Sequence, residues 1–585
     1  MKQFFKFFFA SLLAIFVCCL FTCLVIFIMA SLGDDKPEVQ PNSVLHIKLN
    51  RPIVDRAEEN PFKNFNFGSM ESESKIGLNN VLKNIKKATK DDNIKGIYLN
   101  LLHVDAGFAT LEEIRDALIE FKDSSDKFII TYGEVYTQKA YYLASVADEI
   151  YLYPEGMLDF RGLSSTRTFF KGLLDKLEIE AQIIRHGKYK SAVEPFMLDS
   201  MSVASKKQTM KYVGDLWSHY LKGISDARGI SVEKLNEIAD SMLIRKAPDA
   251  VKFGLADAVI FKDELLAKLR EKLGVEEDGD IECISLRKYT KVPVKKEESD
   301  LKKEKVAVIY AQGGIESGEG DEETIGSERI SKAIRKARED EKVKAIVLRV
   351  NSPGGSALAS DVIWREMVLA KAEKPVVVSM GDVAASGGYY IACAADTIVA
   401  SENTITGSIG VLGIIPNFRE FFKNKMGITF DGVKTNHNAD LGFLKPLTKT
   451  QKRIIKEGVV DVYQVFTSKV AEGRGMTQAD VDSIGQGRVW SGMDAMRIGL
   501  IDVYGGLTKA IEIAADMADL EEYRVSEYPK KKDAFDELIK EFLGGAQTDM
   551  MQQHLGKNYK YFNYLKEVSK MQGIQARLPY FLEIE

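Results

Sequence analysis

Short apolar stretches alternate with amphipathic segments along most of the chain. Residues 43–49, 95–101 and 127–133 (SVLHIKL, KGIYLNL and KFIITYG) have the length and apolar content of strands, whereas residues 111–123 repeat apolar positions with a helical period. Strands that alternate with helices in this way are typical of parallel α/β units. The pattern therefore predicts an α/β fold.

The same succession returns in the second half of the chain. Residues 305–311, 343–350 and 374–381 are expected to form strands, and residues 361–373 a helix. Between the two halves, residues 291–305 are dense in charge and contain a proline, which predicts a solvated linker.

Two stretches of sixteen residues show that the chain repeats itself. GEVYTQKAYYLASVAD at 133–148 matches GDVAASGGYYIACAAD at 381–396 at both ends, and further blocks match in the same order. A repeated unit of this length indicates a tandem duplication of a domain rather than a solenoid. We expect one repeat at 43–290, a second at 306–525, and a C-terminal extension at 526–585 without a counterpart.

The N-terminal segment has the character of a membrane anchor. Residues 7–32 carry no charge, and a helix of that length can cross the hydrocarbon core of a bilayer. Lys2 and Lys6 precede this segment, whereas Asp34 and Asp35 follow it. The positive-inside rule then places the N-terminus in the cytoplasm and the rest of the chain across the membrane.

Composition excludes several classes of function. A chain of 585 residues, 45% of them apolar, can form two or more domains. Its net charge is −5 and its basic residues do not form a stripe, which argues against nucleic acid as a partner. Three of the five cysteines lie in the N-terminal apolar segment, and the six histidines are scattered. No metal site, disulfide framework or cofactor is therefore predicted.

Ligands of α/β proteins bind beyond the carboxyl ends of the strands, and a loop predicted to lie there contains a candidate nucleophile. The loops there are NSPGGS at 351–356 and DVAASGG at 382–388, and the second contains Ser386 between small residues. Gln138 occupies the corresponding position in the first repeat. The alternative interpretation is that Ser386 is a small residue at a tightly packed helix start.

Glycines in the same two loops could supply an oxyanion hole. The backbone N–H groups of Gly355 and Gly387 are the candidates, because glycine lets the backbone approach a substrate closely. An ordinary tight turn with close helix packing remains the alternative for both.

The base that a nucleophilic serine needs is not in its own motif, since GDVAASGG differs from GxSxG and contains no histidine. A triad with His437 or His186 is left open. Lysine is the other possible base, provided that burial keeps it neutral. Lys190 lies in RHGKYKSAVEPFMLDSMS at 185–202 among aromatic and aliphatic neighbours rather than on a charged face, so it is the candidate.

Several motifs together resemble the long form of signal peptide peptidase A (protease IV). They are YKSAVEPF, NSPGG, GDVAASGGYYIA, TGSIGV at 406–411 and GRVWSG at 487–492. The resemblance implies a crotonase/Clp-protease-like fold in each half, with Ser386 as nucleophile and Lys190 as general base. It also implies a homo-oligomer, a homotetramer in this family, in the cytoplasmic membrane of a bacterium. Its domains would lie on the extracytoplasmic side and degrade cleaved signal peptides without a cofactor.

Two other classes of function are alternatives to the peptidase. An acyl-CoA enzyme of crotonase type shares the fold, but an outward-facing anchored domain has no access to CoA. A catalytically inactive scaffold that binds peptides at the membrane is the second alternative, because the first repeat has already lost the serine. Covalent labelling of Ser386 would discriminate between an active peptidase and such a scaffold.

Overall fold

The two halves of the chain form sheets with the same strand order. The computed structural model describes residues 2–32, 37–57, 65–66, 71–72, 75–293, 303–530 and 574–577. The first sheet is parallel throughout, and its strands in spatial order are β10 (Ala258–Val259), β8 (Glu149–Leu158), β7 (Phe128–Tyr136), β6 (Ile94–Leu99), β1 (Ser43–Ile47) and β11 (Cys283–Ser285).

The second sheet repeats this order. Its strands are β22 (Val503–Tyr504), β18 (Thr397–Ala400), β17 (Val376–Ala385), β15 (Val343–Ser352), β12 (Glu304–Gln312) and β23 (Tyr523–Tyr528), all parallel, and β19 (Ile405–Gly407) and β21 (Val489–Ser491) extend it beside β17. The common order confirms the predicted tandem α/β duplication.

A third sheet joins segments from both repeats and from the C-terminal end. Its strands in order are β14 (Thr324–Gly326), β13 (Gly314–Glu316), β16 (Gly354–Ser356), β24 (Gln575–Arg577), β20 (Val411–Asn417) and β9 (Glu180–His186). Strand β9 belongs to the first repeat and pairs antiparallel with β20 of the second over its whole length. Two short pairs complete the strands, β2 (Ile53–Val54) with β5 (Ile76–Gly77) and β3 (Phe65–Asn66) with β4 (Glu71–Ser72).

The first described helix precedes β1, and the others connect the strands or cover the sheets. They are α1 (Lys2–Leu32), α2 (Leu78–Lys90), α3 (Phe108–Asp123), α4 (Gln138–Ala144), α5 (Lys171–Leu177), α6 (Glu194–Met197), α7 (Val203–Arg228), α8 (Val232–Asp240), α9 (Ala247–Lys252), α10 (Lys262–Leu273), α11 (Leu286–Lys291), α12 (Ser327–Glu339), α13 (Ala357–Lys371), α14 (Gly387–Ala392), α15 (Arg419–Met426), α16 (Lys449–Arg474), α17 (Gln478–Ile484), α18 (Gly492–Arg497) and α19 (Leu507–Asp516), with one 3₁₀ turn at Ser191–Val193.

The predicted strands and helices are present, with shifted ends. The helix expected at 361–373 begins earlier, at Ala357, because the Ser356 side chain caps it by accepting a hydrogen bond from the Ala359 N–H at 3.3 Å. Most of the predicted linker, residues 294–302, lies outside the described residues, as does the C-terminal extension from 531 apart from 574–577. Among the residues whose side chains the structure describes, no helix is long and apolar enough to span a membrane, and residues 22–32 of the predicted anchor lie outside that part of the chain.

A buried ion cluster fixes the two repeats against each other. Arg349 on β15 has no exposed surface, and its guanidinium binds Asp55 at 2.8 Å and Glu113 at 2.5 Å, both from the first repeat. It also donates to the Ser379 hydroxyl at 2.8 Å. If one of these partners moved away, a buried charge would be left uncompensated, at a large cost in stability. The cluster therefore couples the positions of the two sheets.

Candidate active site

Ser386 lies in a sharp turn between β17 and α14, at the carboxyl end of the second sheet. Its backbone has φ 57° and ψ −113°, a conformation that costs energy in any residue with a side chain. The Ser386 N–H donates to the Gly407 carbonyl at 2.8 Å, which holds the turn. Strain of this kind persists where the surroundings enforce it and is common at functional sites.

Lys190, from the first repeat, reaches this hydroxyl. Its Nζ lies 2.8 Å from Ser386 Oγ although 196 positions separate the two residues in sequence. Both side chains are fully buried. The structure thus brings together the two residues that the sequence proposed as base and nucleophile, one from each repeat.

The Lys190 amine makes two further contacts, both to Ser408. Its Nζ donates to the Ser408 carbonyl and lies close to the Ser408 hydroxyl, each at 3.1 Å. A neutral amine has two N–H bonds and one lone pair. If Ser408 accepts both hydrogens, the lone pair remains for the proton on Ser386 Oγ.

Burial lowers the pKa of Lys190 well below its ordinary value. Removal from water disfavours the ammonium form, and its closest polar neighbours are the hydroxyls and carbonyl of two serines. A lower pKa increases the fraction of neutral amine, and only the neutral amine can accept a proton, whereas a solvated lysine is almost entirely charged.

The backbone around Lys190 is held from both repeats. The Tyr189 N–H donates to the Gln486 carbonyl at 3.0 Å, and the Gln208 side chain donates to the Ser191 hydroxyl at 2.9 Å. Gly487 packs so closely that a Cβ there would lie 2.6 Å from the Cβ of Lys190. These contacts leave the lysine backbone little room to shift away from the serine.

The predicted oxyanion glycines lie on two neighbouring segments, α14 and β16. Gly387 is the first residue of α14, directly after the serine, and Gly355 lies in the middle of β16. A Cβ on Gly354 would lie 2.7 Å from the Gly387 nitrogen, so the two segments approach each other closely. Gly354 has φ +93°, and its own N–H is bound to the Ser352 hydroxyl at 3.1 Å.

Ser408 was not proposed as a site residue from the sequence. The motif TGSIGV contains this serine among small residues, but the motif does not indicate that the serine contacts a lysine 218 positions away. Its backbone has φ 50°, which is uncommon for serine. The Ser408 N–H donates to the Arg488 carbonyl at 2.7 Å, which holds this conformation.

Two family profiles match the chain. The sequence profile of peptidase family S49 matches residues 120–276 and 369–521, one segment in each repeat, and the profile of Clp protease matches residues 303–404. Together the S49 segments span more than half of the chain. The chain belongs to peptidase family S49. It is therefore a serine peptidase, and the resemblance seen in its motifs is confirmed.

Relatives of this S49 peptidase are similar over most of its length. Protease 4 of Haemophilus influenzae is 39% identical over 455 residues, which cover 76% of this chain and 74% of the relative. Protease 4 of Salmonella typhi is 38% identical, with coverages of 80% and 77%. The chloroplastic serine protease SPPA of Arabidopsis thaliana is 34% identical over 556 residues, or 92% of this chain and 78% of the relative.

The histidines that the sequence left open do not join the serine of this S49 peptidase in the described part of the chain. His437 is exposed, and the ring of His186 packs against Tyr463 with centroids 4.4 Å apart. Ser386 instead has Lys190 as its basic partner.

The first repeat of the peptidase has a structural residue at the equivalent place. The side-chain oxygen of Gln138 accepts the N–H groups of Arg161 and Gly162, both at 2.9 Å, and its amide donates to the Gly162 carbonyl. Gln138 thus ties α4 to the loop after β8, so this repeat contributes the lysine and not a second serine site.

Proposed function

We propose that this S49 peptidase hydrolyses peptide bonds with a catalytic dyad of Ser386 and Lys190, and that its substrates are signal peptides already cleaved from their preproteins. The observation that carries the proposal is the 2.8 Å separation of Lys190 Nζ and Ser386 Oγ in a fully buried pair. The substrate class is proposed from the similarity to serine protease SPPA of Arabidopsis thaliana and from the resemblance of the motifs to signal peptide peptidase A.

The proposed reaction follows from these positions. Neutral Lys190 removes the proton of Ser386 as Oγ attacks the carbonyl carbon of the substrate, and the N–H groups of Gly355 and Gly387 bind the oxyanion. Lys190 then gives the proton to the departing amine, which leaves an ester on Ser386. Water, activated by the same amine, hydrolyses this ester.

Ser408 is proposed as the residue that orients the base. Its carbonyl and hydroxyl each lie 3.1 Å from Lys190 Nζ. With both amine hydrogens engaged there, the lone pair is directed to Ser386 instead of sampling other orientations.

The location and assembly of the enzyme are part of the proposal. We propose that residues 7–32 anchor it in the cytoplasmic membrane of a bacterium with repeats 43–290 and 306–525 on the outer side. The charge-free run between Lys2 and Lys6 on one side and acidic residues on the other supports this orientation. A homotetramer is proposed from the resemblance alone.

Hydrolysis of a synthetic signal peptide by the full chain in detergent, followed by mass spectrometry, tests the proposal. Ser386→Ala and Lys190→Met are each expected to abolish cleavage while the fold is retained. Lys188→Met is the matched control, because Lys188 is exposed and only two positions from the proposed base. Cleavage by Lys190→Met at the rate of Lys188→Met would remove the lysine from the mechanism.

A further inference from the structure

We propose that Tyr463 is a positioning residue for the base, because its hydroxyl holds the backbone of Gln486 in the conformation that fixes the turn before Lys190. The inference rests on the proposed role of Lys190 as the base. Tyr463 lies on α16, in the second repeat, and is buried. The second repeat would then help to place the base as well as supply the nucleophile.

A chain of hydrogen bonds runs from α17 to the residue before the base. The Tyr463 hydroxyl donates to the Asp482 carboxylate at 2.6 Å and accepts the Gln486 N–H at 3.0 Å. The Gln486 carbonyl then accepts the Tyr189 N–H at 3.0 Å, and Tyr189 directly precedes Lys190. Hydrogen bonds linked in series polarise and strengthen one another, so the loss of one weakens the others.

The backbone of Gln486 needs such support. Its φ is 52°, a value that residues with a Cβ seldom adopt. Ser386 and Ser408, which contact the Lys190 amine, also have positive φ. A strained backbone persists only where surrounding contacts enforce it, and the contact to the Gln486 N–H comes from Tyr463.

The hydroxyl of Tyr463 has a role distinct from that of its ring. The ring packs against His186, at the end of β9, with centroids 4.4 Å apart, and phenylalanine would keep this contact. Burial raises the pKa of the Tyr463 hydroxyl, so the hydroxyl keeps its proton for Asp482 even at alkaline pH. The substitution Tyr463→Phe therefore removes the two hydrogen bonds and leaves the packing of the ring in place.

The turn that carries the base lies directly on the Gln486 peptide. A Cβ on Gly187 would lie 2.5 Å from the Gln486 carbonyl oxygen. On the next residue, a Cβ on Gly487 would lie 2.6 Å from the Cβ of Lys190. A rotation of the Gln486 peptide would thus disturb both contacts. Because the Lys190 amine must stay within hydrogen-bond distance of Ser386 to remove its proton, such a shift lowers the rate.

Hydrolysis of a synthetic signal peptide by the full chain in detergent tests the proposal. Tyr463→Phe is expected to lower kcat at least about 10-fold and to leave KM within about twofold, because it displaces the base and not the bound peptide. Tyr220→Phe is the matched control. The Tyr220 hydroxyl is buried on α7, the long helix of the first repeat, and donates to the Gln138 carbonyl at 2.9 Å. This variant also loses a buried hydrogen bond but should keep its kcat.

A rescue variant distinguishes positioning of the base from general support of the fold. Glycine adopts positive φ without strain, so a chain with Gln486→Gly no longer needs the Tyr463 hydroxyl to hold this backbone. Adding Gln486→Gly to Tyr463→Phe should restore most of the lost kcat, whereas a general defect in α16 would remain. Lys190→Met is assayed beside them. Hydrolysis by Lys190→Met would contradict the proposed base, whereas its inactivity together with full kcat in Tyr463→Phe would overturn only the role of Tyr463.

Amide hydrogen exchange provides a readout that needs no hydrolysis. In the full chain carrying Ser386→Ala, the Tyr189 N–H is expected to exchange slowly, and adding Tyr463→Phe should speed its exchange at least about 10-fold. Equal kcat in Tyr463→Phe and Tyr220→Phe would overturn the proposal, and so would a loss of kcat that Gln486→Gly does not restore. Fast exchange of the Tyr189 N–H in the Ser386→Ala chain would overturn it as well, even if Tyr463→Phe failed to fold.

Discussion

The placement of Lys190 against Gly487 leads to a sharp prediction for the variant Gly487→Ala. The new Cβ would lie 2.6 Å from the Cβ of Lys190 and 2.8 Å from its Cα and its backbone nitrogen, whereas ordinary contacts begin at 3.4 Å. Either the lysine or the glycine backbone must therefore move by about 1 Å. Because Gly487 has φ +80°, the substitution also strains its own backbone.

The expected cost has two parts. Forced contact in a packed interior costs about 1–3 kcal/mol, and a left-handed conformation in alanine costs about 1–2 kcal/mol, so the free energy of unfolding should fall by about 2–5 kcal/mol. A displacement of about 1 Å at a catalytic group lowers kcat roughly 100-fold. The rate of peptide hydrolysis, together with thermal unfolding to confirm the fold, measures both effects.

Gly475→Ala is the matched control for this variant. Gly475 ends α16 with φ +62°, and a Cβ there would meet no atom within 4 Å. It should lose only the conformational part of the stability, about 1–2 kcal/mol, and keep its kcat. If folded Gly487→Ala hydrolyses peptide as fast as Gly475→Ala, the claim that this contact positions the base is wrong.

Four other outcomes are expected. Hydrolysis should rise with pH as Lys190 loses its proton, at a pKa well below the ordinary lysine value of 10.5 because the amine is buried, and a rate that falls over that limb would contradict this. The free energy of unfolding should also rise with pH between the lowered pKa of Lys190 and the ordinary lysine pKa, because over that range the unfolded chain binds one more proton than the folded chain. Urea titrations of Lys190→Met at several pH values should lack this rise. Arg349→Met should lower the free energy of unfolding by about 3–5 kcal/mol, because it leaves two buried carboxylates without their cation. Arg365→Met, at an exposed position, is the control and should change the free energy of unfolding little in the same urea titration. Ser356→Ala should cost about 1 kcal/mol through the lost helix cap of α13 and leave kcat unchanged, so a large fall in kcat would show that Ser356 takes part in the reaction.

The fold was predictable because its signals are local. Apolar runs such as 343–350 and 374–381 are buried strands of one sheet, and the repeated motif around Ser386 revealed the duplication before any contact was known. Lys190 could be singled out for a similar reason, since its neighbours in sequence are apolar and a buried lysine needs a special cause.

The remainder of the site depends on contacts between distant segments. The pairing of β9 with β20, which carries Lys190 toward the second repeat, joins residues more than two hundred positions apart. The contact of Ser408 with Lys190 and the pairing of β24 with β16 cannot be predicted for the same reason, because a sequence motif does not indicate which distant segment it contacts. The spacing of residues along the chain predicts the type of a secondary-structure element but not which other element it will pack against.

Covalent labelling tests the central claim, that one repeat supplies the base and the other the nucleophile. The full chain is treated with a serine-reactive fluorophosphonate and mapped by mass spectrometry beside its Lys190→Met variant. We expect a single adduct on Ser386 whose rate of formation falls by orders of magnitude in the variant, because the hydroxyl then keeps its proton. An adduct on another serine, or labelling of Ser386 at the same rate without Lys190, would contradict the dyad.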